Sequence, residues 1–223
     1  MGRDVNTWLS ENYRDYLKSV SELSKNDRGE ALVKDEHQLY DFDQITAHIF
    51  PKNMPESSDG ICVCGKRIIF TEFKSGFKKK IRRKNYKNHL MECPYEEGKT
   101  CEPYRDLFFD RQNQETDALK TSLYLKGIES YITLTRNIMP ECIDDGQPGQ
   151  HRLVYCVVVD DPVEVGEAIQ MDLAGKTQND NQVLSVKQSL DRLKNNSKKS
   201  YYFDELEVFT PMGFKRYLDK YDH

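Results

Sequence analysis

Long apolar runs are missing from this chain. No stretch of its 223 residues approaches the roughly 18 consecutive apolar positions of a membrane-spanning helix. The opening MGRDVNTWLSENYRDYL has no basic segment leading into an apolar one, so it does not read as a secretory signal. The expectation is a cytoplasmic protein with no membrane partner. Six cysteines without regular spacing (Cys62, Cys64, Cys93, Cys101, Cys142, Cys156) make no disulfide scaffold and are expected to be mostly reduced thiols. A phosphate-cradling glycine loop, a nucleophile elbow and a dinucleotide-binding fingerprint are all absent, which sets those chemistries aside. Repeats and low-complexity segments are also lacking, so the whole of 1–223 reads as one domain.

Hydrophobic residues at 37% and charged residues at 31% allow a core diluted by polar segments. The net charge of −4 conceals an asymmetry. Eight basic residues and no acidic ones lie between Lys74 and Lys87, leaving −12 to the rest of the chain.

Residues 1–50 are expected to be helical. An amphipathic helix on Trp8, Tyr13, Tyr16, Leu17 and Val20 runs to about Leu23, a second spans about Glu30 to Leu39, and a short third carries Phe42, Ile45 and Ile49. A loop over 51–58 follows. Ile61–Cys64 and Arg67–Lys74, joined by Gly65-Lys66, predict a β-hairpin. The segment 77–112 has no period and reads as a basic, cysteine-containing insertion. A long helix is expected from Glu115 to Met139, stopped by Pro140. Beyond it come a strand over Arg152–Val159 with both faces covered, a helix over 183–193, a strand over 201–209 and a helix opened by Thr210-Pro211. Strands separated by long helices indicate an α/β domain.

The hairpin carries the chemistry. Asp59 opens its first strand, while Glu72 and Lys74, two apart in the second, share a face. The fold-back brings Asp59 toward Glu72, so two carboxylates and one ammonium converge at one sheet edge. Converging carboxylates repel unless a cation lies between them. Mg²⁺, or Mn²⁺, suits such oxygen ligands, with the backbone carbonyl of Phe73 as a third. Lys74 would hold an attacking water or offset charge on a phosphate, which is the arrangement of metal-assisted phosphodiester hydrolysis.

The stretch Ser58-Asp59-Gly60 … Thr71-Glu72-Phe73-Lys74 resembles the signature of the PD-(D/E)XK, or restriction-endonuclease-like, nuclease superfamily, in an uncharacterised bacterial branch. The resemblance spans roughly residues 43–218, and its hairpin is the specific part. It implies an αβββαβ core, a mixed central sheet flanked by helices, with the N-terminal helices and the basic insertion added. It also implies that Asp59 and Glu72 ligate metal and that Lys74 is the catalytic lysine. Ser58 stands where the name has Pro, and the family's first core strand is not visible before Asp59. A further helix carboxylate often completes such a site; Glu30 is the candidate, with Asp43 second.

Lys78, Lys79, Lys80, Arg82, Arg83, Lys84 and Lys87, interleaved with Phe77 and Tyr86, are candidates to grip a nucleic-acid backbone, with DNA expected over RNA. A solvated loop or a contact for an acidic protein is the plain alternative. His89, Cys93 and Cys101 are loosely spaced, and Cys62 and Cys64 are expected to point apart, so structural zinc is not expected. The overall expectation is a metal-dependent nuclease. The alternatives are an inactive binding module of the same fold or a defence or toxin effector. A homodimer or a defence-system partner protein is a further possibility.

Overall fold

The computed structural model describes residues 4–75, 118, 121–142, 151–160 and 202–221. In chain order the described elements begin with α1 (Val5–Asn12), β1 (Leu17–Ser19), the single turn α2 (Val20–Leu23), β2 (Gln38–Asp41) and α3 (Phe42–Ile49). The hairpin strands β3 (Gly60–Cys64) and β4 (Arg67–Lys74) follow, and then helix α4, regular over 121–133. Strands β5 (Arg152–Val159) and β6 (Glu205–Phe209) and helix α5 (Pro211–Tyr221) complete the set. The chain is a mixed α/β structure whose six-stranded mixed sheet, ordered β1 to β6, is flanked by helices.

Local chemistry explains most of these boundaries. Gly65 turns the hairpin at φ +57°, a left-handed conformation that costs glycine little. Gly60–Cys64 then pairs antiparallel with Arg67–Thr71, setting Ile61 against Phe70. At the start of α5, the Gly213 N–H donates to the Thr210 hydroxyl at 3.2 Å, with Pro211 at the first position where no N–H is missed. β5 pairs parallel with both β4 and β6, and its residues Val154–Val159 are buried throughout. That double cover is why it reads as an unbroken apolar run.

The N-terminal region differs from its expected helices. α1, capped by the Asp4 carboxylate, ends at Asn12 and leads into β1 instead of continuing to Leu23. Glu30 to Leu39 is not a helix: after an irregular loop, Gln38–Asp41 forms β2, antiparallel to both β1 and β3. This is a strand before Asp59, where none was visible. Leu39, Tyr40 and Asp41 are all buried, so the period-2 alternation that marks a half-exposed strand is absent. The third helix forms as expected, as α3.

The sheet is covered on both sides. Phe42, Ile45, Ile61, Ile68, Phe70, Tyr155 and Val157 pack with Leu9 of α1 and with Leu123 and Leu134 on one face. On the other, Cys62, Ile69, Phe73, Val154, Cys156 and Val158 pack with Phe214 and Leu218 of α5. Burying each such large side chain contributes about 1.5–3 kcal/mol. The insertion at 77–112 and the helix expected over 183–193 lie outside the described residues. No helix among the described residues is long and apolar enough to cross a membrane.

Candidate active site

The β3–β4 register, continued by one residue past Gly60–Thr71, sets Asp59 opposite Glu72. Asp59 is tied there by its own strand partner: the Phe73 N–H donates to Asp59 Oδ2 at 2.6 Å. Glu72 is fully buried. Lys74, two residues on and on the same face, puts its Nζ 2.7 Å from Glu72 Oε1. The three residues expected to converge do so. Phe73 takes part through its N–H, while its ring points to the other face and packs against Phe214 at a centroid distance of 5.8 Å.

A fourth charge, not expected from the sequence, lies among them. Lys126 of α4 places its Nζ 3.0 Å from Glu72 Oε1, 3.2 Å from Glu72 Oε2 and 3.4 Å from Asp59 Oδ1. It bridges the two carboxylates. The neighbouring Gly127 lets α4 settle onto the sheet, since a Cβ there would come within 3.1 Å of the Tyr155 ring. One turn later the Ser130 hydroxyl accepts from the Ser58 N–H at 2.8 Å, fastening α4 to the residue before Asp59. Glu129 reaches the same approach segment, accepting from the Glu56 N–H at 2.5 Å.

The burial of α4 explains why Lys126 was missed. Residues Leu119, Leu123, Ile128, Tyr131, Ile132 and Ile138 were expected to mark its inner side. In the fold Leu123, Gly127, Ser130, Thr133, Leu134 and Ile138 are buried, and Ile132 is exposed. The usable signal was a lysine beside a stripe of small residues (Gly127, Ser130, Thr133), which marks a helix in close contact with a sheet.

Burial and charge leave this cluster electrostatically tense. Burial first, and then repulsion from Glu72, push the Asp59 carboxyl up to about 7. Lys126, the Phe73 N–H and Lys74 oppose that rise without cancelling it. Burial alone would depress the Lys126 ammonium, yet Glu72 and Asp59 hold it above the ordinary lysine value. Buried Tyr155, whose hydroxyl donates to the Leu123 carbonyl at 3.1 Å, is also held well above its usual value, by burial and then by these two carboxylates. Glu72 Oε1 has its two ammonium neighbours but no hydrogen bond of good geometry.

Of the two further acids considered, Asp43 lies beside the cluster. Glu30 lies in an exposed loop, its carboxylate accepting from the Asn26 amide at 3.3 Å. Asp43, at the start of α3, accepts from the Ser57 hydroxyl and feels the charges of Lys126 and Asp59. Burial is the main reason its carboxyl is raised. The second N-terminal helix, expected from about Glu30, is replaced by loop and strand.

The donors suit a hard cation in kind: two carboxylates on rigid strands, one of them short of hydrogen bonds. Among the described residues, however, no group of three or more His, Cys, Asp or Glu side chains is set to enclose a metal ion. The space between the carboxylates is bridged by Lys126. Lys78, Lys79, Lys80, Arg82, Arg83, Lys84 and Lys87 fall outside the described residues, as do His89, Cys93 and Cys101. No family model, curated protein or solved structure matches the chain.

Proposed function

We propose that the chain is a metal-dependent nuclease of the restriction-endonuclease-like fold, hydrolysing phosphodiester bonds of nucleic acid, with DNA the expected substrate. The observation that carries the reading is the meeting of Asp59, Glu72 and Lys74 at one end of the β3–β4 ribbon, with Lys74 2.7 Å from Glu72. Element order adds support. α2, β2, β3, β4, α4 and β5 run in the sequence αβββαβ, with two antiparallel pairings and then a parallel one. Helix α3, between β2 and β3, is additional.

In this reading Asp59 and Glu72 hold Mg²⁺ or Mn²⁺, with the Phe73 carbonyl as a further oxygen. A bound divalent ion supplies a water of lowered pKa and stabilises charge on the phosphate. Lys74, anchored on Glu72, orients the water. Lys126 neutralises the two carboxylates and, with a divalent ion held there, would be available to a phosphate oxygen. The 78–87 run grips the backbone by ionic contacts that weaken steeply with salt.

A second reading, a binding module that does not cut, is favoured by Lys126 itself. Two ammoniums against two carboxylates already balance the charge without a metal. Incubating single- and double-stranded DNA and RNA with Mg²⁺ or Mn²⁺ separates the two. The nuclease reading expects cleavage that falls at least about 100-fold in Lys74→Ala and Glu72→Ala while binding survives. Cleavage undiminished in both variants overturns the mechanism. Salt-sensitive binding with no cleavage of any substrate establishes the second reading.

A further inference from the structure

We propose, resting on the nuclease reading, that Lys126 is an internal counter-cation: it keeps the acidic cluster closed to divalent ions until a nucleic-acid phosphate draws its ammonium away. The ammonium stands where a shared ion would have to enter. Lys126 Nζ lies 3.0 and 3.2 Å from the two oxygens of Glu72 and 3.4 Å from Asp59 Oδ1. Asp59 Oδ2 accepts from the Phe73 N–H at 2.6 Å, which leaves Oδ1 as the freer oxygen, and that is the one facing Lys126. Among the described residues no third His, Cys, Asp or Glu encloses the same gap, so the two acids alone face the resident ammonium.

Charge points the same way. Glu72 and Asp59, when both are ionised, are matched by the ammoniums of Lys74 and Lys126. A cluster that is balanced and contains a fully buried carboxylate resists two further positive charges, because repulsion is screened less there than in water. A phosphate changes the balance. It offers Lys126 an anionic partner outside the cluster and frees both acids at once.

The motion this needs is confined to one side chain. Helix α4 is held: a Cβ at Gly127 would come within 3.1 Å of the Tyr155 ring, and the Ser130 hydroxyl accepts from the Ser58 N–H at 2.8 Å. The lysine stem is not held in this way, since four carbons rotate freely and the head is a point charge that tolerates a change of partner. The Lys126 side chain is 16% exposed while that of Glu72 is 0%, so the ammonium has a path to solvent and to a ligand arriving from it.

Mn²⁺ binding to the full chain, followed by the paramagnetic resonance of the free ion, tests this without cleavage. Wild type and Lys126→Met are compared with and without a phosphorothioate DNA duplex that resists hydrolysis. Without DNA, Lys126→Met is expected to bind Mn²⁺ at least about tenfold more tightly than wild type. Adding the duplex is expected to tighten Mn²⁺ at least about tenfold in wild type and by less in the variant, with Mn²⁺ tightening the duplex by the same factor. A purely structural role for Lys126 predicts the reverse, because a disturbed site binds the ion less well. Should Lys126→Met fail to fold, Lys126→Gln, which is uncharged but still donates to the carboxylates, is read in its place. Mn²⁺ affinity that is unchanged or weaker in the folded variant overturns the proposal, even where wild type cuts nucleic acid. Absence of Mn²⁺ binding by every form, with or without the duplex, overturns the nuclease reading and this regulation with it.

Discussion

The two ends of β4 each carry an ion-pair cluster, and the two behave in opposite ways. At the start of the strand, Arg67 meets Glu205 at 2.5 Å and Arg152 adds a second contact to the same carboxylate at 3.1 Å. One partly exposed acid faces two guanidinium groups. The Arg67 hydrogen bond first, and then the two positive charges, hold Glu205 below its ordinary value despite some burial. At the far end, two acids share two ammoniums in a drier place, and Asp59 is pushed up to about 7. Ion pairs near water that are fully hydrogen-bonded settle their charges. Buried ones with crowded like charges store a penalty that a ligand can relieve. The first cluster clamps β4, β5 and β6, and the second keeps an unsettled charge at the end of β4.

Removing the cation that spans the buried pair sharpens this contrast most. Lys126→Ala leaves buried Glu72 and part-buried Asp59 short of a partner and is expected to cost about 3 kcal/mol in urea denaturation at pH 8. Part of that loss should return at pH 5, where Asp59 is protonated. A cost that does not change between the two pH values would show that the charges are not the reason.

A smaller effect comes from the acid itself. The folded-state value of Asp59 lies above its unfolded value. Its contribution to stability is therefore full below about pH 4 and lost as pH rises toward 7. Asp59→Asn removes this loss, and stabilisation on the order of 2 kcal/mol is expected at pH 8, fading to nothing near pH 4. Equal melting-temperature shifts at both values would contradict the assignment.

The smallest effect belongs to the other end of the strand. Arg67→Met is expected to cost about 1 kcal/mol at pH 7. Because Glu205 is lowered, its contribution is present above its unfolded value and disappears as pH falls below about 4. The cost of Arg67→Met should therefore be flat from pH 6 to 9 and shrink in acid. Comparing the two unfolding series across pH would expose any error in treating the clusters as opposites.

How much of this was legible in the sequence varied by element. The hairpin was, because β-branched and aromatic residues flank a glycine turn, and local signals of this kind do not need the rest of the fold. The covered strand β5 and the capped start of α5 were legible for similar reasons. The N-terminal strands were not. β1 is three residues long, and β2 is buried along most of its length, so neither carries an alternating pattern. For the same reason Glu30, expected on a helix, lies instead in an exposed loop. Cys62 and Cys64 are a different matter. The period of a strand already requires them to share a face, so the expectation that they diverge was a misreading of the sequence.

From the sequence alone came the hairpin, the shared face of Glu72 and Lys74, and the nearness of Asp59, because each follows from strand geometry over a few consecutive residues. Only the tertiary structure decided that Lys126 joins them, 54 residues beyond Glu72 in the chain. A helix presents one stripe to a sheet. Which stripe it presents is set by where small residues let it approach, and that is a property of two surfaces meeting rather than of either one.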